Sequence, residues 1–126
     1  MNLSIVILAT QLIGVKFNEC DPFLLQFRFQ ECQLNFSSFY QLKIPKTVFN
    51  CCNLEEVDFT ESMLQNTVFE KCDLKNAIFD RTNLEKVDFT TAFNLDINPQ
   101  ENNLKGAKFN KQNVVGLVSI FKVIVE

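Results

Sequence analysis

The sequence predicts an all-β solenoid, a chain wound into a square coil, on the strength of three observations. A large apolar residue returns at every fifth position from Phe29 and Leu34 through Phe39, Ile44, Phe49, Leu54, Phe59, Leu64, Phe69, Leu74, Phe79 and Leu84 to Phe89. A second column, mostly small or β-branched, lies two residues before the large one: Cys32, Ser37, Thr47, Cys52, Val57, Ser62, Thr67, Cys72, Ala77, Thr82 and Val87. The other three positions of each repeat are mainly polar.

A strand alternates with period 2 and a helix turns with period 3.6, so a period of five fits neither as a continuous element and the chain must turn once per repeat. With the small and the large residue inward and one residue outward between them, two residues remain for the corner. Four such sides close a coil of about 20 residues, whose neighbours stack at about 4.8 Å through main-chain hydrogen bonds. Two recurrences support this coil length: Cys32, Cys52 and Cys72, and Thr47-Val48-Phe49 repeated as Thr67-Val68-Phe69. The longest near-copy, Asn53 to Thr60 against Asn83 to Thr90, favours a Phe/Leu alternation of period ten, so four sides rest partly on packing. On that folding Phe29, Phe49, Phe69 and Phe89 form one column facing Phe39, Phe59 and Phe79, and Leu54, Leu74 and the other Leu and Ile residues fill the remaining sides.

Taken in chain order, residues 1–23 form an irregular N-terminal part, since Leu24 lies seven residues beyond Phe17 where five are expected, and Asp21-Pro22 suits a bulge or corner loop. Residues 24–93 are the regular coils. At 94–103 the apolar column breaks at Asn94 and Pro99, which predicts a protruding loop whose Asn94, Asp96 and Asn98 are candidate interaction residues. Phe109 stands 20 beyond Phe89, so the loop replaces half a coil without shifting register, and 104–113 is a last coil. The apolar tail 114–126, with Leu117, Ile120, Phe121 and Ile124, must cover the open end of the core or meet another subunit, and a homodimer is expected.

With 126 residues, 47% of them hydrophobic, the chain is one domain with a core. A net charge of −3 leaves no basic footprint for direct nucleic-acid binding and argues against an anionic membrane surface. Gly and Pro number only three each, so residues other than glycine must make the corners. The cysteines Cys20, Cys32, Cys51, Cys52 and Cys72 are odd in number in a chain too large to need a disulfide framework, which fits a reducing cytoplasm. The apolar run Ile5 to Ala9 has no preceding Lys or Arg and is too short to span a membrane, so neither a signal peptide nor a membrane segment is expected.

Histidine is absent, which removes the commonest general base and the Ser-His and Cys-His nucleophile pairs; no enzyme activity and no cofactor are expected. Cys32, Cys52 and Cys72 occupy small inward positions in one straight column, whereas a tetrahedral metal site needs ligands converging from several directions. They read as buried structural thiols, with Cys51 outward. Charge differs by side. Those carrying Leu34/Leu54/Leu74 and Phe39/Phe59/Phe79 present six acidic residues outward, Glu55, Glu56, Asp58, Glu61, Asp73 and Asp80, against two basic ones, Lys75 and Arg81, a net of −4. The side carrying Ile44, Leu64, Leu84 and Leu104 presents Lys43, Lys46, Lys86 and Lys105 against Glu85, a net of +3.

The runs Cys52-Asn53-Leu54-Glu55-Glu56, Cys72-Asp73-Leu74-Lys75-Asn76 and Thr82-Asn83-Leu84-Glu85-Lys86 resemble the small-(Asp/Asn)-Leu-x-x motif of pentapeptide-repeat proteins. The register is unbroken over 24–93 and returns from Asn103 to Phe109. This resemblance implies a right-handed quadrilateral β-helix and a non-enzymatic interaction scaffold with a protein partner. Within the family the sequence is most similar to the Qnr quinolone-resistance group and its immunity relatives. That likeness implies the alternative of a DNA mimic acting on a type II topoisomerase, DNA gyrase or topoisomerase IV, with a C-terminal dimer.

Overall fold

The computed structural model of the protein describes residues 3–19 and 25–126; Cys20 and the Asp21-Pro22 corner lie outside the described residues. One parallel sheet holds β1 (Leu3–Leu8), β2 (Leu25–Gln30), β3 (Val48–Asn50) and β4 (Val68–Glu70) in chain order. The steps from β2 to β3 and from β3 to β4 are both 20 residues, with Phe29 opposite Phe49 and Phe49 opposite Phe69. The other three sides follow the same step through single parallel bridges such as Gln33 to Asn53, Ser38 to Asp58 and Lys43 to Met63. Four sides per coil is therefore the observed geometry.

Between residues 31 and 86 the corners are made without glycine. At one residue per corner, from Glu31, Phe36, Gln41 and Lys46 onward to Arg81 and Lys86, the backbone adopts a left-handed φ between 50° and 62°. Each such non-glycine residue carries about 1–2 kcal/mol of conformational strain. Main-chain bonds across the corner, such as Val57 N–H to Leu54 O at 3.2 Å and Ser62 N–H to Phe59 O at 3.1 Å, help to hold it. The first corner residue's N–H is taken by the outward Asn or Asp two positions earlier: Glu55 by Asn53, Thr60 by Asp58, Lys75 by Asp73, Glu85 by Asn83. The Asx residue of the repeat thus caps a backbone donor that the ladder leaves over.

Inside, the large residues from Phe29 to Phe89 and the small residues from Cys32 to Val87 are all buried. Phe29, Phe49, Phe69, Phe89 and Phe109 stack at 5.1–5.3 Å between ring centroids, as do Phe39, Phe59 and Phe79. The two columns meet edge to face, for example Phe49 on Phe59 at 5.9 Å. Small polar groups in the core each find a carbonyl: Ser62 donates to Phe39 O at 2.7 Å and Thr82 to Phe59 O at 2.8 Å. A hydroxyl or thiol is tolerated at these positions because a main-chain carbonyl of the coil beneath or, for Ser37 and Thr47, of the same coil supplies an acceptor.

At the N-terminus the structure departs from the irregular segment expected for 1–23. β1 pairs with β2 in parallel, Gln11 bridges Gln33 and Lys16 bridges Ser38, each at a step of 22. Residues 3–19 thus form a coil of their own, with Ile7, Leu12 and Phe17 packed against the core. They repeat every five, but two extra residues before β2 put them out of phase with the frame set by Phe29.

The segment expected to protrude at 94–103 instead lies against the solenoid. Ile97 is buried in the core and Leu95 packs against it. The departure begins earlier, at Thr91, which stays out of the left-handed region because a β-branched side chain crowds the backbone there. Register is recovered beyond, with Asn83 opposite Asn103 and Asp88 opposite Lys108.

Candidate functional site

The outward residues on the two acidic sides are not equivalent. Glu56 is exposed, while Glu55, Asp58, Glu61, Asp73 and Asp80 are half-buried. Asp58 and Asp73 each use one carboxylate oxygen to cap a corner, at 2.9 and 3.0 Å. Arg81 pairs with Glu61 at 3.1 Å and with Asp80 at 3.4 Å, and Gln41 donates to Glu61 at 2.7 Å. The acidic column is therefore interrupted at the corner where Glu61 and Asp80 meet. Lys43, Lys46, Lys86 and Lys105 are exposed on the next side of the coil, which lies across from the Leu54/Leu74 side and shares a corner with the Phe59/Phe79 side.

The candidate loop residues are bound internally. Asn94 donates to Asp73 at 2.9 Å, Asp96 accepts from Ser119, and Asn98 caps the N–H of Gln100 at 2.9 Å. Asn94 and Asp96 are exposed and Asn98 is half-buried. The tail forms two 3-10 turns, Asn113–Leu117 and Ser119–Phe121. Leu117 turns toward the core and Ile120 is half-buried, whereas Phe121 and Ile124 are exposed, Ile124 at 86%. Loop and tail are latched by Ile97 N–H to Gly116 O at 3.0 Å.

Cys32, Cys52 and Cys72 are buried and Cys51 is exposed. Each buried thiol donates to a carbonyl of the preceding coil: Cys32 to Ile7, Cys52 to Phe29 and Cys72 to Phe49, at 3.2–3.5 Å. Burial pushes the Cys32 thiol up, and Cys72 is held well above the ordinary thiol value by its hydrogen bond to Cys52 and then by burial. Cys52 moves the other way, lowered first by its hydrogen bond with Cys72, yet like Cys32 and Cys72 it is buried and packs as core.

Sequence reasoning passed over two exposed aromatics, Phe36 and Tyr40, which line one groove with Ser38, Glu56 and Asp58. Their signal was available, since both are aromatic at positions the repeat turns outward. Asn102, Asn113 and Gly116, which organise the end of the solenoid, carry no motif that would single them out.

The family profile described as pentapeptide repeat region matches residues 10–89. The chain belongs to the pentapeptide-repeat family. Its coil is accordingly the right-handed quadrilateral β-helix of that family, a class of structural and interaction proteins. No match was found among curated proteins.

Three solved structures are similar in fold. HetL, a pentapeptide-repeat protein involved in heterocyst differentiation regulation from the cyanobacterium Nostoc sp. strain PCC 7120, is 12% identical, with TM-score 0.49 over 81% of this chain and 44% of that one. The chain thus spans less than half of HetL's length. A trypsin-treated variant of QnrB1, a plasmid-mediated fluoroquinolone resistance protein, is 16% identical, with TM-score 0.35 over 100% of this chain and 98% of that one. Rfr23 from the cyanobacterium Cyanothece 51142 is 18% identical, with TM-score 0.34 over 84% and 88%. Among the described residues no helix is long and apolar enough to cross a membrane.

Proposed function

We propose that this protein is a non-enzymatic scaffold that binds a protein partner across the acidic sides of its coil. The observation that carries the reading is the uneven charge of the sides: Glu55, Glu56, Asp58 and Asp73 on two adjacent sides, Lys43, Lys46, Lys86 and Lys105 on the third. A rigid surface of this kind needs no moving part to present charge to a partner. Family membership supports it, as does the use of the thiols as core rather than as nucleophiles.

The narrower reading, a duplex mimic acting on a type II topoisomerase of the gyrase class, rests on the same carboxylates. Arg81 weakens it by pairing with both Glu61 and Asp80 and cancelling one of their two charges midway along the rod, so the broader reading is adopted. Both are separated by experiment. The triple variant Glu55→Lys, Glu56→Lys, Asp58→Lys is expected to lose a partner that the wild type and Lys43→Glu, Lys46→Glu both capture from the source cell, with mass spectrometry as the readout. Equal capture by all three would refute the acidic-side reading. Gyrase supercoiling, with and without a quinolone, tests the mimic; unchanged activity at micromolar protein leaves the scaffold alone. The exposed Phe121 and Ile124 suit a second copy at the tail, and light scattering should return a dimer.

A further inference from the structure

Phe36 stands at a corner where its backbone has φ 62°, a conformation that is an outlier for a bulky residue. Equivalent corners carry Gln41, Lys46, Glu56 and Glu61, flexible polar side chains that lose nothing by facing water. Phe36 meets the same strain and is 57% exposed, so neither local conformation nor core burial accounts for it. Residues held in strain without a folding return mark places where a surface is used. At Gly14, the corner paired with Phe36 in the preceding coil, an added side-chain carbon would meet nothing within 4 Å, so the space beside this corner is open.

Around Phe36 the surface is built for one chemistry. Phe36 and Tyr40, itself 37% exposed, line a groove of about 490 Å³ together with the carboxylates Glu19, Glu56 and Asp58 and the side chain of Lys16. Three acids against one base leave the groove acidic. Aromatic faces attract cations, and a guanidinium both stacks flat on a ring and takes a carboxylate through two parallel N–H groups, which an ammonium does not.

Resting on the acidic-side reading above, we infer that this groove receives an arginine side chain from a basic segment of the protein partner, with Phe36 and Tyr40 as the stacking walls and Glu56 and Asp58 as the acceptors. The partner is therefore recognised by arginine and not by positive charge alone.

Tyr40 is the chain's only tyrosine and there is no tryptophan, so its emission reports this groove directly. The probe is an oligoarginine peptide, with an oligolysine of equal charge as control, titrated into the full chain. Oligoarginine is expected to change Tyr40 emission saturably and to bind about tenfold more tightly than oligolysine, the scale of a partly desolvated cation–π contact. Phe36→Gln should abolish that tenfold preference while leaving the urea midpoint unchanged or higher, since Gln41 already occupies such a corner. Equal affinity for the two peptides, an unchanged preference in Phe36→Gln, or a lowered midpoint in that variant would each overturn the proposal. If the Glu55/Glu56/Asp58 reversal weakens oligoarginine binding while Phe36→Gln does not, the acidic sides survive as a binding surface and only the arginine groove falls.

Discussion

The coils from 25 to 90 and the end segment from 91 to 126 solve one problem in two ways. Every main-chain donor and acceptor removed from water needs a partner. In the coils that partner is the equivalent main chain one coil away, as where Leu54 N–H meets Asp73 O and Leu64 N–H meets Asn83 O, both at 2.9 Å. In the end segment the ladder is interrupted after Phe93, resumes from Glu101 to Lys108 and stops there, and around these breaks side-chain amides stand in for peptide groups. Asn102 donates to Phe79 O at 3.0 Å while accepting from Thr82 N–H, and Asn113 donates to Phe89 O at 2.8 Å and Ala92 O at 3.0 Å. Asn110 does the same for Thr90 O at 2.8 Å. The difference teaches that the repeat needs only side-chain size and polarity at each position, whereas the end depends on individual residues.

The largest effect should come from the coil interior. Phe59 is fully buried, stacked on Phe39 and Phe79 and in edge contact with Phe49 and Phe69. Truncation to Ala removes these contacts and opens a cavity flanked by rigid rings, for about 3–5 kcal/mol. Asp58→Ala, one residue away but outward, loses a single cap on Thr60 N–H, about 1 kcal/mol. Urea midpoints measure both. Comparable shifts for the two would break the inward/outward distinction on which the coil description stands.

This contrast also explains what was legible. The inward columns could be read because a solenoid converts distance along the axis into a constant interval in sequence, so one register error would have scattered Phe29 to Phe89. The N-terminal coil obeyed the same rule, but a two-residue excess shifted Ile7, Leu12 and Phe17 out of phase. The end segment was misread for another reason. Ile97 and Asn102 act through contacts that belong to no repeat of the coil, and no interval announces them. The acidic side was readable as composition, yet the pairing of Arg81 with both Glu61 and Asp80 depends on where corners bring side chains together.

A smaller effect, and one confined to the end, is expected at Gly116. A Cβ built there would lie 2.3 Å from Leu95 O, and backbone cannot move aside as a flexible side chain would. Gly116→Ala should therefore break the bond from Ile97 N–H and loosen loop from tail, destabilising by about 1–3 kcal/mol. Hydrogen exchange sharpens the comparison. Protection should fall at Ile97 and Val118 while the amides of Leu54 and Leu64 keep theirs; a uniform loss would mean that coil and end unfold as one unit.

The smallest effect has the opposite sign and tests the coil's one standing weakness, its strained corners. Lys46 holds φ 61° directly after Pro45, and its side chain is exposed. A turn with proline at its second position and a left-handed third residue is the type II pattern, for which glycine at the third position is preferred. Lys46→Gly relieves about 1–2 kcal/mol of left-handed strain. Against this stands the extra freedom glycine gives the unfolded chain, about 0.5–1 kcal/mol. The main-chain bond from residue 46 N–H to Gln65 O, 2.8 Å, needs no side chain and survives the change. The balance is a gain of about 0.5–1 kcal/mol, seen as a higher urea midpoint with an unchanged slope. At Gly106, φ 72°, the reverse substitution to Ala should lose stability, because the new Cβ would add strain and lie 3.1 Å from Lys86 Cγ. If Lys46→Gly weakened the protein instead, the lysine would have to be contributing through its side chain, and the view that corner residues are interchangeable outside Phe36 would be wrong.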